Sequence, residues 1–251
     1  MITIFRKIRQ KLIANNSASK YLLYAIGEII LVVIGILIAL QINNNNDERK
    51  EKKELQEYLA KISNNLELDI ANLKDIKKRR LIVIQNCQLA VKNFNTNKFD
   101  LGTNMKAAQA FVDFYFVPNQ SGYDALKNSS YLGKINGSKV DRFLDNYHVV
   151  LNKVLKEENS YLTYVENMEV IWTSSFDMSE LKKVYDMGIK NIALKNLSVD
   201  LQKKIIPMFE HESFRSTITR SSFQTNMLTY YDDLINVGDK IINEIEKFIN
   251  D

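Results

Sequence analysis

The chain has 251 residues, enough to bury a substantial core, and its 45% apolar and 25% charged side chains are ordinary for a folded protein. Its formal charge of +4 arises at the start: residues 1–20 hold Arg6, Lys7, Arg9, Lys11 and Lys20 and no acid, residues 21–42 hold only Glu28, and the other 209 residues carry 29 basic and 29 acidic groups. The balanced remainder lacks the basic excess of a nucleic-acid binder, two prolines and eight glycines are too few for a turn-rich all-β fold, and a single cysteine, Cys87, excludes an intramolecular disulfide.

Residues 1–20 read as a basic cytoplasmic tail. Residues 21–42, YLLYAIGEIILVVIGILIALQI, follow with one charge. As a helix they cover about 33 Å at ~1.5 Å per residue, enough to cross the hydrocarbon core of a bilayer. The run is longer than the apolar part of a cleaved signal peptide, no small-x-small cleavage site follows it, and no lipoprotein cysteine follows either, so an uncleaved signal-anchor is expected. Lys and Arg counts on the two sides tie at five: against the tail stand Arg49, Lys50, Lys52, Lys53 and Lys61. The downstream set starts further from the span and is interleaved with acids. That favours a cytoplasmic N-terminus and a periplasmic C-terminal domain in a bacterial inner membrane.

Glu28 sits inside this span, and ionisable groups there usually face a partner or a cavity. Gly27 beside it, and the small pair Gly35 and Ala39, would let another helix approach closely. These four residues are the candidates for an intramembrane helix contact. A snorkelling or protonated acid is the competing reading. Proton-coupled chemistry is a third, and no second polar relay residue in the span supports it.

From Asp47 to about Phe94, Leu55, Leu59, Ile62, Leu66, Ile70, Leu73 and Ile76 recur at spacings of three and four, the stripe of an amphipathic helix. No breaker separates Gln41 from Asp47, so one helix is expected to run from the span into the domain, loosened at Asn43–Asn46. The alternating charges of Asp47–Glu57 read as a solvated face. Cys87 is expected to be a buried thiol. A loop over Asn93–Asn104, a short helix over Met105–Phe116, and a connector over 119–137 with a helical turn near Asp124–Ser129 come next. Ser138 to about Trp172 reads as a long helix buried through Val140, Phe143, Leu144, Tyr147, Leu151, Val154, Leu155, Tyr161 and Leu162. Loop and short helices fill 174–206, Pro207 is expected to open a helix, and a last helix is expected over Phe214–Phe248 with Phe223 in its apolar stripe. The architecture is all-α: an N-terminal transmembrane helix followed by an elongated helical bundle over 43–251. Its first and last long helices are expected to run antiparallel as a stalk, with the middle elements capping the distal end.

The segment FRKIRQKL followed by YLLYAIGEIILVVIGILIALQINNNND resembles the N-terminal signature of an uncharacterised single-pass membrane-protein family of Bacteroidota, a domain of unknown function with a Gly-Glu pair in its span. FVPNQSGYDALKNSSYLGKI, Phe116 to Ile135, is similar to a second block of that family. Asn45 stands where an interfacial tryptophan is expected. The resemblance implies an inner-membrane location and no assigned activity.

Chemistry is sparse. His148 and His211 lack partners at metal-binding spacing, and Glu210-His211-Glu212 point to different sides of a helix. Asn119-Gln120-Ser121-Gly122 is not a nucleophile elbow, the acid pairs Glu157-Glu158 and Asp232-Asp233 are adjacent on helices, and no phosphate-binding glycine loop occurs. The aromatic patch Phe111, Phe114, Tyr115 and Phe116 reads as core or interface. No catalytic, cofactor or metal site is expected. The leading expectation is a non-enzymatic interaction module in an envelope complex, partnered by the bilayer and by another membrane protein or a second copy. The alternative is an extracytoplasmic ligand-sensing domain acting through a separate signalling partner, because 20 residues before the span leave no room for an output domain.

Overall fold

The computed structural model describes residues 18–187 and 193–250; the expected tail lies largely outside them. Among the described residues there is no β-strand. Internal contacts divide the chain between Glu57 and Tyr58. Helix α1, Ala18–Asn95, belongs to both units as one element of 78 residues. The expected loosening at Asn43–Asn46 is absent: the helix continues there, and the amides bond along it, Gln41 Nε2 to Asn45 Oδ1 at 3.3 Å and Asn43 Nδ2 to Asp47 Oδ2 at 3.1 Å.

In the first unit, α1 presents its apolar side chains to the outside. Fourteen large aliphatic residues between Leu22 and Ile42 are each 46 to 70% exposed. This is the one helix among the described residues long and apolar enough to cross a membrane.

In the second unit, α1 turns one face inward. Leu55, at the end of the first unit, opens the stripe, and Leu59, Ile62, Leu66, Ile70, Leu73 and Ile76 are all buried, as their spacing predicts. Two other long helices pack with this part of α1: α5, Lys139–Ser174, and α9, Thr225–Asn250. Contacts between α1 and α9 run in opposite senses. Ile70 meets Gly238, Lys77 Nζ lies 2.6 Å from Asp232 Oδ2, and Arg80 Nε lies 3.0 Å from the Tyr231 hydroxyl; beyond the start of α9, Gln88 Nε2 donates to the carbonyl of Ser222 at 3.2 Å. The antiparallel pairing of first and last long helices is therefore present in this unit. The expected two-helix stalk is not: α5 also lies along α9, with Tyr147 at Gly238 and Glu158 at Tyr231, which makes three helices around one core.

The shorter elements are α2 (Leu101–Ala107), a 3-10 turn (Ala108–Phe111), α3 (Ser121–Lys127), α4 (Leu132–Ile135), α6 (Ser179–Asp186), a 3-10 turn (Leu194–Asn196), α7 (Val199–Glu210) and α8 (Glu212–Ser222). Several depart from expectation for local reasons. The helix expected at Met105–Phe116 starts earlier, because the Asp100 carboxylate accepts the Thr103 N–H at 2.7 Å and caps it. After Phe111 the chain is not helical; from Asp113 to Gln120 exposure alternates residue by residue, the period of an extended segment. Pro207 does not open a helix but lies inside α7, which Ser198 starts by capping Leu201. The expected last helix is two, broken at Phe223–Gln224. The Ser221 and Ser222 hydroxyls bond back to the Thr217 and Thr219 carbonyls at 2.7 Å each, which competes with helix continuation, and Phe223 is 72% exposed rather than buried.

One end of the core is aromatic. Trp172 stacks on Phe111 at 4.9 Å and meets Phe214 at 5.1 Å, while its indole N–H donates to the Met208 carbonyl at 2.7 Å. That bond lets a tryptophan lie at 4% exposure without an orphaned donor.

Candidate functional site

Helical geometry sorts the four span residues. At about 100° per residue, Glu28, Gly35 and Ala39 fall within roughly 40° of one another, on one face, and Gly27 lies to the side. Gly35 and Ala39 are exposed and Glu28 is half-buried. A Cβ added at Gly27 or Gly35 would meet nothing within 4 Å, so both positions are open on the helix surface. The structure therefore brings three of the four together as a narrow face of low relief and moves Gly27 to its flank.

A second set of residues, not anticipated from the sequence, holds the extended segment 112–120 against the bundle. Arg80 and Glu158, 3% and 2% exposed, face each other between α1 and α5. Glu158 accepts the Phe116 N–H at 3.2 and 3.0 Å on its two oxygens and a short hydrogen bond from the Tyr231 hydroxyl, with Arg80 Nη2 3.7 Å away. Arg80 donates to the Phe114 carbonyl at 3.1 Å and lies over the Phe114 and Tyr161 rings at 4.8 and 5.3 Å. Burial raises the Glu158 carboxyl above its ordinary 4.5, opposed by the bonds from Tyr231 and Phe116 and the charge of Arg80. Further along, Asp69 accepts the Asn119 N–H at 3.1 and 3.0 Å, and Asn65 Nδ2 lies 2.8 Å from Asn119 Oδ1 and 2.9 Å from Ser121 Oγ.

The aromatic patch divides accordingly. Phe116 is buried, Phe111 stacks in the tryptophan cluster, Phe114 lies under Arg80, and Tyr115 is 53% exposed. Arg80 stands four residues after Ile76, and Glu158 four after Val154. A charge in register with an apolar stripe was the available signal for both.

His148 packs on the Tyr123 ring at 4.2 Å, and His211 caps α8 by accepting the Ser213 N–H at 3.3 Å. Glu210 and Glu212 lie either side of that cap, in different helices. Among the described residues no three His, Cys, Asp or Glu side chains gather as a metal site. Cys87 is fully buried, and burial pushes its thiol up to about 12, with Ser221 opposing.

A family model described as a family of unknown function, DUF6090, matches residues 28–154, just over half of the chain. The chain belongs to this family. The DUF6090 match starts at Glu28 within the apolar span, includes Asn65, Asp69 and Arg80 and the whole extended segment, and ends four residues before Glu158. No curated protein and no solved structure matches the chain.

Proposed function

We propose that this DUF6090 member is a single-pass inner-membrane protein whose helical domain is a non-enzymatic interaction module, a subunit or accessory of an envelope complex. The observation that carries the reading is the outward-facing aliphatic surface of α1 between Leu22 and Ile42. Water-soluble proteins rarely leave so large a continuous apolar surface uncovered, whereas a bilayer solvates it without cost. The basic residues of the tail favour a cytoplasmic N-terminus, which puts residues 43–251 on the periplasmic side. The Gly-Glu signature in the span supports membership of the Bacteroidota membrane proteins that it resembles.

The face formed by Glu28, Gly35 and Ala39 is the contact for a second helix, either from another membrane protein or from a second copy. An acid at this depth is stabilised by a polar group of the neighbour, and the small residues let the two backbones approach. In the domain, Arg80, Glu158, Asp69 and Asn65 bond to the chain's own backbone, which supports a scaffold reading for them. No cofactor and no nucleic acid enters this reading.

The test is recovery of the tagged full chain from native membranes in mild detergent, beside Glu28→Gln and Gly35→Ile variants, with co-purifying chains identified and stoichiometry measured. The proposal predicts a defined partner or a defined oligomer that both variants lose. Recovery of the monomer alone from wild type contradicts it.

A further inference from the structure

The face that carries Glu28, Gly35 and Ala39 does not stop at the end of the span. Helix α1 runs unbroken through Asn43–Asn46, so the same face can be followed outward. Steps of alternately three and four residues from Ala39 reach Ile42, Asn46, Arg49 and Lys53, all exposed. At about 100° per residue each lies within roughly 60° of the Glu28 direction, and the exposed Lys50 lies about 40° from it. The acids of this stretch lie elsewhere. Asp47, Glu48, Glu51 and Glu54 stand roughly 80–160° away, with Lys52 among them, and the buried Leu55 is diametrically opposite. Charges that alternate in sequence are thus sorted by face. Arg49, Lys50 and Lys53 continue the small-residue face outward until Glu57, which lies 3.9 Å from Lys53 and closes the strip.

This strip discriminates between occupants of the face. A second copy in the same membrane has the same orientation, so it would set Arg49 against Arg49, Lys53 against Lys53 and Glu28 against Glu28. Like charges in register disfavour that pairing. Lipid headgroups do not fit either. With Ile42 at the edge of the hydrocarbon core, Arg49 to Lys53 stand about 10–16 Å further out at ~1.5 Å per residue, whereas the headgroup layer is roughly 5–8 Å thick.

Resting on the reading of this face as a helix contact, we propose that its partner is a transmembrane helix of a different protein, whose exit from the bilayer carries Asp or Glu side chains level with Arg49, Lys50 and Lys53. Inside the bilayer the partner packs on Gly35 and Ala39 and donates a hydrogen bond to Glu28. Outside it, opposite charges select the partner and fix its register, as the flanking charges of a coiled coil do.

The test is site-specific photocrosslinking of the full chain in native membranes, with benzoylphenylalanine in place of Asn46 and, on the far side of α1, in place of Asn44. The proposal predicts one adduct from position 46, absent from position 44 and mapped by peptide mass spectrometry to the acidic exit of another protein's transmembrane helix. An Arg49→Glu, Lys53→Glu double variant, both positions exposed, should reduce that adduct about fivefold or more while membrane anchoring is unchanged. An adduct between two copies, an adduct with lipid alone, an adduct that survives the charge reversal, or no adduct where a partner still co-purifies overturns the proposal. If Glu28→Gln nevertheless abolishes that co-purification, the intramembrane contact stands without it. Absence of both adduct and co-purifying partner contradicts the two together.

Discussion

The hydroxyl of Tyr231 on α9 donates a short hydrogen bond to the carboxylate of Glu158 on α5, and the same hydroxyl lies 3.0 Å from Arg80 Nε on α1. One phenol thus ties the three long helices of the bundle together around a charge pair shut off from water. Glu158 also binds the Phe116 N–H and Arg80 the Phe114 carbonyl, so the same cluster satisfies backbone groups of a segment with no secondary structure of its own.

Removing one member should therefore be costly. Glu158→Ala leaves the Arg80 guanidinium buried without its counter-charge and is expected to lower unfolding free energy by about 3–5 kcal/mol. Tyr231→Phe should cost about 1–3 kcal/mol through the lost hydroxyl bonds. An Arg80→Met, Glu158→Leu double variant should lose clearly less than the losses of the Arg80→Met and Glu158→Leu single variants added. Urea unfolding of each variant measures this, and strict additivity would contradict the coupling.

The cluster also sets a pH dependence. Burial raises the Glu158 carboxyl above 4.5, so the folded chain holds that proton more tightly than the unfolded chain does. Its contribution is fully present below 4.5 and is lost as pH rises through the raised folded value. Burial likewise raises Asp69 above 3.8, with the same sign. His148 acts the other way: burial lowers it below 6.5, so its contribution is present above 6.5 and lost as pH falls through the lowered value. Comparing wild type with Glu158→Gln isolates the glutamate. Stability of the variant, measured by denaturant unfolding from pH 4 upward, should fall less steeply just above 4.5; parallel curves would refute the assignment.

Two glycines should respond differently to alanine. A Cβ at Gly122 would stand 2.9 Å from the Ile62 backbone nitrogen and 3.1 Å from its Cα, atoms that cannot move without shifting α1. At Gly238 the nearest atom is the Ile70 Cδ1, 3.1 Å away and at the end of a flexible side chain. Gly122→Ala is expected to cost about 1–3 kcal/mol from overpacking. Gly238→Ala should be near neutral, because the helix gains up to about 1 kcal/mol when glycine becomes alanine. Thermal denaturation of the two variants side by side decides it.

Cys87 should be chemically silent in the folded state. It is fully buried and its thiol is pushed up to about 12, so almost no thiolate exists at pH 8. Maleimide labelling at that pH should be negligible without denaturant and complete in urea. Rapid labelling of the folded chain would contradict the packing of Cys87 against Ala107 of α2 and Ser221 of α8.

The first two long helices were legible because each carries a sustained apolar period: the α1 stripe from Leu55 to Ile76 and, in α5, Val140, Leu144, Tyr147, Leu151, Val154 and Tyr161 are buried where the spacing put them, while Phe143, Leu155 and Leu162 are half-buried. The departures share a cause. Asp100, Ser198 and the Ser221-Ser222 pair move helix ends through single side-chain hydrogen bonds, which apolar periodicity does not register. The role of α5 as a third long partner, rather than part of a cap, depended on Glu158 and Tyr147 meeting α9, a long-range pairing invisible in local pattern. In the span, residue type and helical spacing sufficed to group Glu28, Gly35 and Ala39, while Gly27 was included for its adjacency in sequence and lies off that face.

The most direct test of membrane anchoring by α1 is alkaline carbonate extraction of membranes from cells making the full chain, with pellet and supernatant probed for the protein. The account predicts that it stays in the pellet and is released only by detergent. Release of the intact chain into the carbonate supernatant would contradict it.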